Sequence, residues 1–265
     1  MRVIEWPQFL EETSPLGGNP SAVTVGIFDG VHRGHQALIS QVVSQKPRAA
    51  PVIITFRQSS HKKKSGYGHT GDILTFRQKI ALFESLGVSL TIVIDFSESF
   101  SRMGGADFLQ ILYEYGNMSF MAVGSDFRCG YQLDTDALLI RELNARRDIP
   151  TCIVQPLTEG GLPISSSNIR AAVTRGKLET AGAMLGRPFT IDLLGASSRV
   201  NTSGGVAYDI AGSGGILPPP GKYPVLLLDK NSDKINENPV EILVENGSVI
   251  IAGDLDGLCP EYVEF

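Results

Sequence analysis

Between residues 22 and 185, apolar runs of strand length near 22–28, 51–56, 90–95, 119–124 and 151–155 alternate with amphipathic stretches near 34–45, 75–87, 105–115, 136–147 and 167–185. Strands interleaved with helices of this length predict a parallel sheet covered by helices, an α/β fold whose ligands bind at the carboxyl ends of the strands. After Gly186-Arg187-Pro188 the helical period disappears. Short β-rich runs broken by Gly and Pro take over, and Asn246-Gly247 between two apolar runs is a strong signal for a tight hairpin. A division into a 1–186 α/β domain and a 187–265 small all-β barrel is therefore expected.

The first strand leads into the densest chemistry. Val23-Thr-Val-Gly-Ile-Phe-Asp-Gly-Val-His-Arg-Gly-His35 passes from an apolar run into a glycine-rich turn that ends in two histidines three positions apart. Gly26, Gly30 and Gly34 let the backbone come close to a ligand or take positive φ. The helix pattern beginning near His35 aims its unpaired N–H groups back at the turn, so an anion is expected there. His32 and His35 fall on one side of that helix, where both imidazoles can meet one polyphosphate. Taken alone, H-x-G-H fits a turn with two solvated histidines equally well. The strand before and the helix after are what favour a phosphate loop; a metal site would need a third ligand at suitable spacing, and the chain's other histidines, His61 and His69, lie in a Gly/Ser/Lys-rich stretch.

A second constellation is Pro163-Ile-Ser-Ser-Ser-Asn-Ile-Arg170. Its serines stand at the start of a helical pattern and can either cap it or hold phosphate oxygens. Arg170, one turn further on, suits a bidentate grip on phosphate.

Composition excludes several classes. A net charge of −5 on 265 residues gives nucleic-acid binding no support, and the short run His61-Lys62-Lys63-Lys64 reads as a loop tip or a gate over an anionic substrate. Three scattered cysteines fit neither a disulfide framework nor a zinc knuckle. The N-terminus has no charged-then-apolar leader and no window approaches membrane-spanning length, so a cytoplasmic protein without membrane contact is expected.

Three motifs, Gly26-Ile-Phe-Asp-Gly-Val-His-Arg-Gly-His35, Ser165-Ser-Ser-Asn-Ile-Arg170 and Val123-Gly-Ser-Asp-Phe-Arg-Cys-Gly130, come in the order found in the adenylyltransferase module of prokaryotic bifunctional riboflavin kinase/FAD synthetases. The chain resembles that module over about residues 1–190, with support from Leu74-Thr75, Lys79 and Leu82 and from Gly186-Arg187-Pro188-Phe189. The resemblance implies a Rossmann-like nucleotidylyltransferase domain that transfers AMP from ATP to FMN, giving FAD and pyrophosphate with Mg²⁺. It implies that His32 and His35 contact the triphosphate, that Ser165, Ser166 and Arg170 hold its outer phosphates, that Gly26, Phe28, Asp29 and Gly34 line the ATP side, and that Asp126 and Phe127 face the flavin. No metal-ligating protein residue is assigned. The attacking group is the FMN phosphate itself, so positioning and charge neutralisation carry the rate.

Two departures stand out. The family's Pro-His-Pro loop after the second strand reads Arg57-Gln-Ser-Ser-His61 here, and the kinase module's Pro-Thr-Ala-Asn reads Val206-Ala-Tyr-Asp209. Val and Ala bring neither the hydroxyl nor the fixed φ, so the barrel is expected to lack kinase chemistry. The alternatives are a related nucleotidylyltransferase with another phosphate acceptor, and a non-catalytic flavin- or nucleotide-binding protein.

Overall fold

A computed structural model describes residues 1–12, 15–57, 71–95, 98–200, 205–252 and 260–265. Two compact units form, Met1–Ser65 with Lys79–Leu157, and Gly66–Gln78 with Thr158–Phe265.

In the first unit, strands β1 (Arg2–Glu5), β2 (Ser21–Val25), β3 (Ala50–Phe56), β4 (Leu90–Ile94), β5 (Met118–Gly124) and β6 (Thr151–Val154) make a six-stranded parallel sheet in the order β1-β4-β3-β2-β5-β6. Every residue of β2 is buried. Val23 and Val25 join a large core with Ile54, Ile92, Leu109 and Met121, while Ala22 packs with Val42 and Ala122 in a smaller cluster. Burial on both faces explains why β2 carries small and β-branched residues without a polar, outward-facing set, Ser21 and Thr24 being buried with the rest. From β2 the chain works outward through β3 and β4, then returns to place β5 on the other side of β2. The order of winding therefore reverses between β2 and β5, and in open α/β sheets that is where ligands bind.

The helices α2 (Arg33–Val43), α3 (Phe76–Ser85), α4 (Gly105–Glu114) and α5 (Ala137–Ala145) occur where the periodicity predicts them; α1 (Trp6–Glu11) and β1 are additions. Both are short, and β1 buries only Ile4 fully, too little pattern to stand out. The caps are legible: Asp136 accepts from the Leu138 and Leu139 N–H groups at the start of α5. Thr75 and Gln78 form a reciprocal capping box before α3, the Gln78 side chain accepting from Thr75 N–H and the Thr75 hydroxyl from Gln78 N–H.

The second unit holds a seven-stranded antiparallel sheet built from β7 (Thr190–Asp192), β8 (Ser197–Val200), β9 (Val206–Asp209), β10 (Gly221–Leu228), β11 (Val240–Glu245), β12 (Ser248–Ile251) and β13 (Tyr262–Glu264). Their order is β7-β13-β10-β11-β12-β9-β8, a curled half-barrel with β7 and β8 at its edges. The expected hairpin joins β11 to β12 through Asn246 and Gly247, at φ 50° and 79°, the pair of left-handed residues that a two-residue turn requires.

One expected helix is two. The stretch 167–185 forms α6 (Ser166–Thr174) and α7 (Leu178–Leu185), broken where Gly176 takes φ 71°. Both pack in this unit: Ile169, Val173, Ala181, Met184 and Leu185 share one core with Ile191, Val225, Ile242 and Val263. Packing divides the chain near 158, while the helical period ends near 186.

Candidate active site

The turn after β2 departs from the sheet as soon as Gly26 has given its N–H to the Ile54 carbonyl, 3.0 Å away. Phe28, Gly30 and Val31 all have positive φ, at 53°, 84° and 38°. Left-handed backbone is unfavourable for Phe and Val, and it is held here by burial: Phe28 and Val31 are 1% and 0% exposed. The Val31 N–H closes the turn on the Phe28 carbonyl at 3.1 Å. Asp29 is buried in the same loop and Gly34 lies in the first turn of α2.

His32 is the N-cap of α2, and its Nδ1 accepts from the His35 N–H at 3.3 Å. Accepting on Nδ1 places the proton of neutral His32 on Nε2, so the ring presents an N–H donor on its far edge. The His35 ring stacks on it with centroids 3.6 Å apart and planes 16° apart, and the edge of Phe28 meets His35 at 5.2 Å. Although the residue as a whole keeps some exposed surface, His35 Nδ1 is enclosed and has no hydrogen-bond partner among the described residues. Burial, then the neighbouring His32 and Lys79, pull the His35 pKa well below the usual histidine value. The His35 imidazole is therefore held in its neutral form near pH 7.

Asp126 and Phe127 follow β5, the strand beside β2. Ser125 N–H bonds to the Val154 carbonyl and Phe127 N–H to the Gly124 carbonyl, a tight turn that leaves Asp126 exposed while Phe127 packs against the core. The loop 26–35 and the Asp126-Phe127 turn thus stand at the ends of the two strands that flank the reversal of winding.

In the second unit Ser165 serves as the N-cap of α6, its hydroxyl accepting from the Asn168 N–H at 3.2 Å. Of the two uses open to this serine the structure displays the cap. Ser166 begins the helix. Arg170 gives its Nε–H to the Gly71 carbonyl at 3.0 Å. Gly71 has φ 100° and touches the Gly215 backbone so closely that a Cβ would lie 2.7 Å from its carbonyl atoms, so Arg170 is anchored on backbone of fixed shape.

Lys79 is the residue that sequence reasoning left outside the site. It is only 7% exposed, and its Nζ reaches the carbonyls of Ile27 at 3.2 Å and Phe56 at 2.9 Å and the Thr55 hydroxyl at 3.2 Å. The available signal was a lysine among Phe76, Ile80 and Phe83 at helical spacing. His61, His69 and Lys62–Lys64 lie outside the described residues. Among the described residues no helix is long and apolar enough to cross a membrane, and no group of three or more His, Cys, Asp or Glu side chains could hold a metal ion.

A parallel sheet with a glycine-bearing turn at its point of reversal, running into a helix capped by histidine, defines an open, doubly wound α/β protein. The chain belongs to the FAD synthetase family, whose model matches residues 17–168. It is 30% identical over 174 residues to the bifunctional riboflavin kinase/FMN adenylyltransferase of Buchnera aphidicola subsp. Acyrthosiphon pisum, covering 64% of this chain and 56% of that protein. Similar values hold for the protein of the same description from Escherichia coli K12, at 30% over 172 residues, 64% and 55%. The Bacillus subtilis one is 29% identical over 212 residues, 77% and 66%. The matches to the first two span a little over half the length of those relatives. A crystal structure of a macrolide-efflux protein from Streptococcus pneumoniae superposes with a TM-score of 0.78 at 20% identity, covering 100% of this chain and 89% of that one, which is a likeness of fold.

Proposed function

We propose that this chain is an FMN adenylyltransferase: it transfers AMP from ATP to FMN, releasing pyrophosphate and FAD, with residues 1–186 as the catalytic part. The observation that carries the reading is the loop 26–35, closed on itself by buried Phe28 and Val31 and ending in two stacked histidines, at the strand end next to the Asp126-Phe127 turn. His32 and His35 donate to the triphosphate and to the charge that develops as the FMN phosphate displaces pyrophosphate. Gly26, Phe28, Asp29 and Gly34 shape the ATP side, Ser165, Ser166 and Arg170 hold the outer phosphates, and Asp126 and Phe127 orient the flavin. The described residues offer no cluster of three carboxylates or imidazoles for a cation, so Mg²⁺ is proposed to enter with ATP, held chiefly by phosphate oxygens and water.

We further propose that the half-barrel does not phosphorylate riboflavin. Asp209, the carboxylate left in the Val206–Asp209 segment, accepts the Gly212 N–H of its own turn at 2.8 Å. Glu261 is ion-paired with Arg77. Asp254 and Asp256 lie outside the described residues.

The test is product formation by the purified chain with ATP, Mg²⁺ and FMN or riboflavin. FAD from FMN supports the reading; folded protein that binds ATP and forms no FAD would falsify it, and transfer of AMP to a different phosphate acceptor would identify the alternative.

A further inference from the structure

A lysine ammonium buried inside a protein is costly unless its protons are taken up, and Lys79 places all three against oxygens. Two of these belong to the end of β3, Thr55 and Phe56, and the third is the carbonyl of Ile27, the residue just before left-handed Phe28. The Thr55 hydroxyl, itself fully buried, donates to that same carbonyl at 3.2 Å. In a trans peptide the carbonyl and the following N–H point in opposite directions. Drawing the Ile27 oxygen toward Lys79 therefore turns the Phe28 N–H away from it, and the loop's geometry is set from beneath by a cation.

We infer that Lys79 is the positioning residue of the phosphate loop: through the Ile27 carbonyl it fixes how the loop presents its amides to a polyphosphate, and its buried charge acts on that anion through the loop. The role rests on the adenylyltransferase reading for its connection to turnover, while the polyphosphate site can be measured without it. An apolar side chain of equal length would fill the same space, so the lost function would be electrostatic and orientational. The depressed basicity of His35 agrees with a fixed positive charge nearby.

The experiment compares the wild type with Lys79→Met and Thr55→Val. Binding of inorganic tripolyphosphate is measured by calorimetry, and kcat and KM for FAD formation are measured with ATP and FMN varied separately. Lys79→Met is expected to weaken tripolyphosphate by about 10- to 100-fold, the range for losing a hydrogen-bonded charge, with KM for ATP raised and KM for FMN unchanged. Thr55→Val, which removes the second donor to Ile27, is expected to weaken it by about threefold to tenfold. A folded Lys79→Met with tripolyphosphate affinity within twofold of wild type overturns the inference, as does a wild type that does not bind the probe. If Lys79→Met fails to fold, unchanged affinity in Thr55→Val overturns it instead. Wild type that binds tripolyphosphate in a Lys79-dependent way and makes no FAD leaves Lys79 in its role and removes the adenylyltransferase reading alone.

Discussion

The imidazoles of His32 and His35 lie face to face, 3.6 Å between centroids, with the Nδ1 of the first capping the N–H of the second. Two cations that close would repel by about 4–5 kcal/mol at an effective dielectric constant near 20. Charging both rings at once is therefore disfavoured. His32 caps the helix and is also proposed as a donor to the triphosphate, which makes its substitution informative.

His32→Ala should lower kcat by about 10²–10³ if its Nε2–H meets the transition state, the range for losing one preorganised donor. It should also cost about 1 kcal/mol of stability through the lost cap. Steady-state rates alongside urea unfolding separate the two; a rate loss under tenfold would assign His32 to the cap alone.

His35 ties stability to pH. Its folded-state pKa is depressed, so below the unfolded value near 6.5 the unfolded chain takes up a proton that the folded chain refuses. Stability is thus fully present above that pH and declines as pH falls toward the folded pKa, with a slope of up to about 1.4 kcal/mol per pH unit. Urea midpoints between pH 8 and 5 should show the decline in wild type and a shallower one in His35→Gln; identical slopes would refute it.

If Arg170 grips oxygens of the leaving pyrophosphate in ground and transition states alike, Arg170→Ala should raise KM for ATP more than it lowers kcat. An unchanged KM would leave Arg170 as the anchor of the Gly71 carbonyl and nothing more.

Gly71→Ala probes that anchor from the other side. A Cβ there would press on the Gly215 carbonyl at a φ of 100°, and the two effects together should destabilise the chain by about 3 kcal/mol. Chemical denaturation would show it, and a loss below about 1 kcal/mol would mean that the segment simply shifts.

Riboflavin with ATP and Mg²⁺ should give no FMN. Formation of FMN that disappears in Asp209→Asn but survives His32→Ala would show an active kinase in the half-barrel.

Sequence alone made the parallel sheet and its helices legible, since β2, β3 and β4 are mostly apolar with only Ser or Thr between, and α2 and α4 carry clear apolar stripes. It also located the glycine loop. What it could not supply was the floor of that loop: Lys79 interacts with three oxygens distant in sequence, and no local pattern announces such partners. The break at Gly176 was misread because apolar spacing continues across it from Val173 to Leu178, so periodicity outvoted a single glycine. The packing of α6 and α7 with the half-barrel was equally hidden, because an amphipathic face declares that it is buried and not against what.

The burial of Phe28 and Val31 has a consequence for how the loop can move. A loop pinned by two side chains in the core cannot rearrange by fluctuating locally; the amides bonded within it open only when the surrounding sheet gives way. Hydrogen exchange at the Gly26 and Val31 amides, bonded to Ile54 and Phe28, would then follow global unfolding, and the loop would keep its shape for as long as the molecule is folded.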